Sequence, residues 1–381
     1  MTVRVDIAAS TLRWALQRTG VTVEELAQKS DFRLVRQWLE GEVSPTLRQA
    51  QHLASLACIP FGYLLLDDPT DDQPDFPDFR TVDSKKVTEF SPELKETIYA
   101  CERRLGWYAE FARAEGIEPP RFGGEWTLRD NPDDAVRALL PQLADAGWKP
   151  GRAATGRENV LELAEAIEHC GVLVMRNSVL GNNNHRKLDI DEFRAFTLLD
   201  GAYPLIFING SDYKVGQYFS LSHELGHVLL AAEGLTGAMN DHHDVERWCN
   251  RFAAALLLPQ HALLQEWDRN PDLKRITEWA YDAYRVSADT ALWSLVGQRR
   301  LGKPQVQEFL RQRPSNPTPP IVSGGGDFFV TLKSRLGGRF LDTVTGAYAD
   351  GAISQEEASR QLGIAKTATL KNAVTRMQEV A

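Results

Sequence analysis

Hydrophobic positions in the first third of the chain recur mostly with the period of a helix. Leu12, Ala15 and Leu16 share one face of an amphipathic helix, and Thr22 with Glu25 has the capping-box spacing that opens a second. Ser91-Pro92-Glu93 supplies an N-cap and a first-turn proline for a later helix. In the middle of the chain the period changes. Helical spacing over Glu158 to His169 gives way to the apolar run Gly171 to Met175, which reads as a strand. Phe193 to Leu199, the turn signal Asp200-Gly201 and then Tyr203 to Asn209 predict a β-hairpin. Asn209-Gly210-Ser211 stops its second strand and begins a long helix. Near the end, Ser354-Gln355-Glu356-Glu357 has the capping-box pattern, followed by Ala358, Leu362, Gly363 and Ile364 at the spacing of a small helix-turn-helix.

Two breaks interrupt these patterns. Asp67-Asp68-Pro69-Thr70-Asp71-Asp72-Gln73-Pro74 is acidic and proline-rich; Arg313 to Pro320 and Gly324-Gly325-Gly326 form the other. The expected organisation is therefore short helices over 1–66, a linker over 67–90, a mixed domain over 91–310, a linker over 311–326 and a helical unit over 327–381. The fold class is α+β, mostly α, with a small sheet. The C-terminal unit reads as a packing or dimerisation element, which leaves a homodimer open.

Composition narrows the setting. With 381 residues, 43% hydrophobic and 25% charged, the chain can bury a sizeable core, and a net charge of -9 argues against a wholly basic nucleic-acid platform. The four cysteines form no C-x-x-C pair, so a reducing cytoplasm is the expected compartment. No secretory signal or membrane span is expected: Arg4, Asp6 and Arg13 interrupt the N-terminus, and no apolar run approaches the roughly 20 residues a span needs.

Chemistry concentrates in Ser222-His223-Glu224-Leu225-Gly226-His227, which contains H-E-x-x-H. Residues four apart on a helix share a face, so His223 and His227 can both reach one Zn²⁺. Glu224, one position on, would accept a proton from a water activated there. A catalytic zinc takes a third protein ligand and keeps one position open. The metzincin extension is excluded, because Leu230 and Glu233 stand where it needs Gly and His. A gluzincin-type site draws a Glu from a following helix; Glu246, 19 residues past His227, fits that spacing best, with Glu233, His242 and His243 as competitors. The strand Tyr203 to Asn209 is a candidate edge for substrate backbone, although its apolar run equally suits a fully buried strand. Tyr218, His242, His243 and Arg247 are candidates for stabilising an oxyanion.

Residues about 75–310 resemble the ImmA/IrrE family of zinc metallo-endopeptidases. The resemblance lies in Pro77-Asp78-Phe79-Arg80, in Asp191-Glu192-Phe193-Arg194-Ala195-Phe196, in Phe219 to His227, and in Glu246 with Asn250-Arg251-Phe252-Ala253-Ala254 and Leu257-Leu258-Pro259. It implies a zincin-like fold, zinc on His223, His227 and Glu246, and Glu224 as general base. It also implies a regulatory protein substrate, a repressor or antitoxin, cleaved in a stress or mobile-element response. Ala255 departs from the family, which usually has Glu there.

Residues 11–66 resemble the XRE-type, lambda-repressor-like helix-turn-helix, through Glu25-Leu26-Ala27, Val35 with Trp38, Gly41-Glu42, Pro45-Thr46 and Leu53-Ala54. The resemblance implies that Arg33, Arg36 and Gln37 face DNA. Trp38 follows Ala27 by 11 residues, about two fewer than in that pattern, and Ser30-Asp31 replaces the glycine of the turn. The leading expectation is a cytoplasmic zinc endopeptidase fused to a helix-turn-helix. The rival is a DNA-binding, antitoxin-like regulator that uses the same scaffold for sensing or partner binding without general proteolysis.

Overall fold

The computed structural model describes residues 3–19, 21–57, 59–69, 90–151, 155–230, 242–312 and 327–380, with backbone alone for 242–243 and 377–380. The chain divides into two compact units, one holding Met1–Pro77, Lys86–Ala100 and Leu180–Leu188, the other holding the rest.

In the first unit, four short helices, α1 (Ala9–Arg18), α2 (Val23–Ala27), α3 (Val35–Leu39) and α4 (Leu47–Leu56), surround Leu12, Leu26, Phe32, Trp38 and Leu53. The Thr22–Glu25 capping box forms at α2, and a second, Thr46–Gln49, opens α4. Between α2 and α3 the backbone makes a 3-10 turn over Ser30–Phe32, so α3 is only five residues long. Arg186 ties the Leu180–Leu188 segment into this unit, through the Leu56 carbonyl at 3.1 Å and the Glu93 carboxylate at 2.8 Å.

Helix α5 (Pro92–Glu115) begins at the expected proline and passes at residue 100 from the first unit into the second. In the second unit α6 (Pro132–Asp145) and α7 (Gly156–His169) precede a three-stranded sheet of β1 (Leu173–Asn177), β2 (Ala195–Asp200) and β3 (Tyr203–Asn209). Then follow α8 (Lys214–Leu229), α9 (His242–Leu257), α10 (Gln260–Arg269), α11 (Leu273–Tyr284), α12 (Ala288–Gly297) and α13 (Lys303–Arg311). The last helices are α14 (Phe328–Leu336), α15 (Gly338–Ala349), α16 (Gln355–Leu362) and α17 (Thr367–Val380). The architecture is α+β and mostly helical, as the patterns indicate.

The expected hairpin forms, with Asp200 facing Tyr203 and Ala195 facing Ile208, and Gly201 supplies a left-handed φ of 59° in the turn. Strand order is β1-β3-β2, with β1 parallel and β2 antiparallel to β3. This corrects one sequence reading. Tyr203–Asn209 is the central strand, buried at all seven positions and paired on both sides, so it has no edge to offer a substrate. Of the two strands in the hairpin, the outer one is β2. One core cluster joins α6, α7, α8, α9 and α12 with Ile206 and Ile208 of β3, and Trp148, Leu225 and Phe252 belong to it.

The C-terminal helices attach beside β1. Arg176 of β1 donates from Nε and Nη2 to Ser334 Oγ of α14 at 3.1 and 2.8 Å. The buried Glu168 carboxylate accepts the Gly338 and Arg339 N–H groups at 3.1 and 3.2 Å, capping α15. Burial pushes this carboxyl up to about 7 despite those bonds.

Candidate metal centre

Helix α8 leaves the central strand through the corner Asn209 to Tyr213. Asn209 Nδ2 donates to the Asp189 and Phe193 carbonyls at 3.2 and 3.1 Å, and its Oδ1 accepts Ser211 N–H at 3.0 Å, which fixes the angle at which the helix departs. The helix is buried from Gln217 through Gly226 apart from the half-buried Phe219, so its orientation is set by packing rather than by solvent. Gly226 sits where α8 meets α9. A Cβ there would lie 3.1 Å from Cys249 Sγ and 3.2 Å from Cys249 Cα, closer than side chains ordinarily pack. The missing side chain lets the two helices approach, and this close approach carries Glu246, one turn before Cys249, across to the histidines.

His223 Nε2 and His227 Nε2 are 3.1 Å apart. Glu246 Oε2 lies 3.2 Å from His223 Nε2, and Oε1 lies 3.0 Å from His227 Nε2. Ligands at 2.0–2.1 Å on a tetrahedral Zn²⁺ are separated by about 3.3–3.4 Å; the two ring nitrogens, and each ring nitrogen with its own Glu246 oxygen, stand close to that spacing. They form the one group of three or more metal-capable side chains found among the described residues. Burial works against the Glu246 carboxylate, but the two imidazoles hold its pKa well below the usual carboxylate range. For His227 burial favours the neutral ring, and the Cys249 thiol with Glu246 and Glu224 outweighs it, raising the pKa. Two imidazole nitrogens and a carboxylate oxygen come together here, a donor set that a divalent cation can occupy.

Glu224 is 5% exposed and lies outside this group of three. Thr197, in the middle of the outer strand β2, donates its hydroxyl to Glu224 Oε2 at 2.8 Å, with the Glu224 carbonyl also in reach at 3.2 Å. Sequence reasoning missed Thr197. The only signal was a hydroxyl in an otherwise apolar strand segment, Ala195 to Leu199, just before the turn.

Of the other candidates, Glu233 lies outside the described residues, and His242 and His243 are described only as helical backbone. Tyr218 points into the core, edge-on to Trp148 at 6.4 Å, and Arg247 is exposed and paired with Asp244 at 2.9 Å. Neither is presented to the centre as an oxyanion partner. In the first unit Arg33 and Arg36 are exposed and Gln37 is half-buried; Arg36 Nη2 lies 3.4 Å from Glu24 Oε1.

No helix among the described residues is long and apolar enough to cross a membrane. Residues 167–292 match the Peptidase M78 family, described as an IrrE N-terminal-like domain. A radiation response metalloprotease IrrE from Deinococcus radiodurans is 34% identical over 112 residues, which is 26% of this chain and 34% of that protein. The chain thus spans about a third of the length of this curated relative. The segment from the end of α7 into α12, which contains all four residues of the centre, is similar to ImmA/IrrE-type metallopeptidases.

Proposed function

We propose that this chain is a zinc-dependent endopeptidase. The observation that carries the proposal is the convergence of His223 Nε2, His227 Nε2 and a Glu246 carboxylate oxygen beside a separately held Glu224. Two imidazoles and one carboxylate are a donor set that suits Zn²⁺ and leaves a position open. Zinc bound there would supply Lewis acidity to a peptide carbonyl and lower the pKa of water.

The chain's own groups account for the proton movements. The Glu224 carboxylate, held through Oε2 by Thr197, takes the proton of the attacking water. The protonated carboxyl then delivers that proton to the leaving amine, so Glu224 is base and acid in turn. Substrate backbone adds along β2, because β3 is enclosed. A Glu224→Gln variant should retain zinc and fold while losing about 10²–10⁴-fold in cleavage rate. Undiminished cleavage of a protein encoded by a neighbouring gene would dismiss Glu224 as the base.

The substrate class proposed is a regulatory protein, a repressor or antitoxin, cleaved in a stress response in the cytoplasm. The first unit is proposed as a helix-turn-helix that contacts DNA through Arg33, Arg36 and Gln37. The exposure of Arg33 and Arg36 favours this, and the five-residue α3 limits how many side chains reach one groove. An Arg36→Ala variant should footprint its own promoter more weakly than the parent; equal protection would leave DNA contact without that residue. A stable complex with the neighbouring protein, uncleaved in the presence of zinc, would favour the rival regulator reading.

A further inference from the structure

We propose that Arg157, Arg176 and Lys214 form a binding site for a phosphate-type oxyanion at the carboxyl ends of the parallel strands β1 and β3. The site is independent of the metal centre, since Lys214 opens α8 nine residues before His223.

Two of these cations converge on one neutral atom. Gln217 Oε1 accepts Lys214 Nζ at 3.0 Å and Arg176 Nη1 at 3.4 Å. Gln217 is fully buried, and its amide nitrogen donates to the Gly210 and Asp212 carbonyls at 3.0 and 2.6 Å, which aims the oxygen at the cations. The other partner of Arg176, Ser334 Oγ, is neutral too. Among the described residues no carboxylate lies within ion-pair distance of Arg157, Arg176 or Lys214. Other half-buried arginines of the chain are paired: Arg194 with Asp212 at 2.7 Å and Arg186 with Glu93 at 2.8 Å. Leaving a cluster of like charges without a counter-charge is unfavourable, and an arriving anion reverses that.

The backbone reinforces the sign. A Cβ on Gly156, the first residue of α7, would meet Lys214 Cβ at 3.4 Å, so the amino ends of α7 and α8 lie side by side. Both carry positive potential. Their own acids are already engaged. Glu158 accepts the Thr155 N–H in the α7 capping box, and Asp212 accepts the Tyr213 N–H and Arg194. Strand carboxyl ends followed by helix amino ends are where open α/β sheets take anionic ligands. Burial first, then Arg176 and Arg157, push the Lys214 ammonium down to about 8 against the pull of Asp212. A dianion fits the charge, and the planar guanidinium groups suit its paired oxygens. Arg157 is exposed and Lys214 half-buried, so the site opens to solvent.

The test is calorimetric titration of the zinc-loaded protein with inorganic phosphate, against sodium acetate at equal ionic strength. Free phosphoserine is a second titrant, to separate inorganic from esterified phosphate. Phosphate or phosphoserine should bind and acetate should not; the tighter of the two identifies the source. Lys214→Met and Arg157→Ala should each weaken binding at least tenfold, with folding checked by an unchanged thermal midpoint in chloride. Equal effects of phosphate and acetate would overturn the site. So would phosphate binding that survives in both variants, because the metal centre is intact in each and would then be what holds the anion.

Discussion

Thr197→Val tests whether the outer strand sets the proton affinity of Glu224. Valine keeps the shape of threonine and its preference for strands, so β2 and its pairing with β3 should persist. What disappears is the 2.8 Å hydroxyl bond to Glu224 Oε2. The hydroxyl has one proton, so its contact with the Glu224 carbonyl at 3.2 Å is an alternative and not an addition. A hydrogen bond to a charged group is worth about 1.5–3 kcal/mol, and it stabilises the carboxylate over the acid. Removing it should therefore raise the Glu224 pKa, because the carboxylate loses that stabilisation and the acid does not.

The sign is definite. A general base must be ionised, so the acidic limb of the kcat/KM profile should move to higher pH in Thr197→Val and return in Thr197→Ser. The carboxyl ¹³C resonance of Glu224, assigned by its loss in Glu224→Gln, should titrate with the same displacement in zinc-loaded protein and needs no substrate. A Val variant whose carboxyl titrates with the parent's midpoint would refute the hydrogen bond as a determinant of the base. A displaced midpoint with an unmoved rate profile would instead separate Glu224 from the reaction.

Three further outcomes follow from the packing. Gly226→Ala should force α9 away from α8, since its Cβ would stand 3.2 Å from Cys249 Cα, and zinc affinity measured by competition with a chelator should fall about 10–100-fold, the range for disturbed ligand orientation. Glu168 in the folded chain, at about 7, binds its proton more tightly than the ordinary value of 4.5 allows, so folded protein loses stability as pH rises between those values. The loss approaches about 3 kcal/mol above pH 7, and Glu168→Gln should flatten denaturation free energy across that window. Gly337 has φ of 81°, and a Cβ there would sit 2.6 Å from the Val174 carbonyl, so Gly337→Ala should cost about 1–3 kcal/mol in a urea melt from backbone strain alone.

Much of the second unit was legible because its signals are local. The two short apolar runs Phe193 to Leu199 and Tyr203 to Asn209, with the turn signal Asp200-Gly201 between them, mark the hairpin from neighbouring residues alone. The four-residue interval from His223 to His227 puts both rings on one helical face for the same reason. Other features depend on pairs far apart in the chain. The apolar run Tyr203–Asn209 marked a strand but not the central one, because that rank comes from its parallel pairing with β1, some 30 residues upstream. Thr197 carries no periodic signal, and its bond to Glu224 exists only because α8 packs across β2. The meeting of Arg176 from β1 with Lys214 from α8 at Gln217 was equally invisible to spacing.

The order β1-β3-β2 explains why one helix can serve two chemistries. Since β3 is enclosed, α8, which follows it directly, is fixed over the middle of the sheet with β1 on one side and β2 on the other. Near its start α8 therefore meets Arg176 of β1, and further along it meets Thr197 of β2. The first contact gathers positive charge; the second arranges a carboxylate next to the donors that attract a cation. Opposite signs are held apart along the helix, with the cations at its positive end, where they are least favoured and an anion is most attracted. A sheet with β3 at the edge would have left α8 one flanking strand instead of two, and one of these sites would have lost its partner.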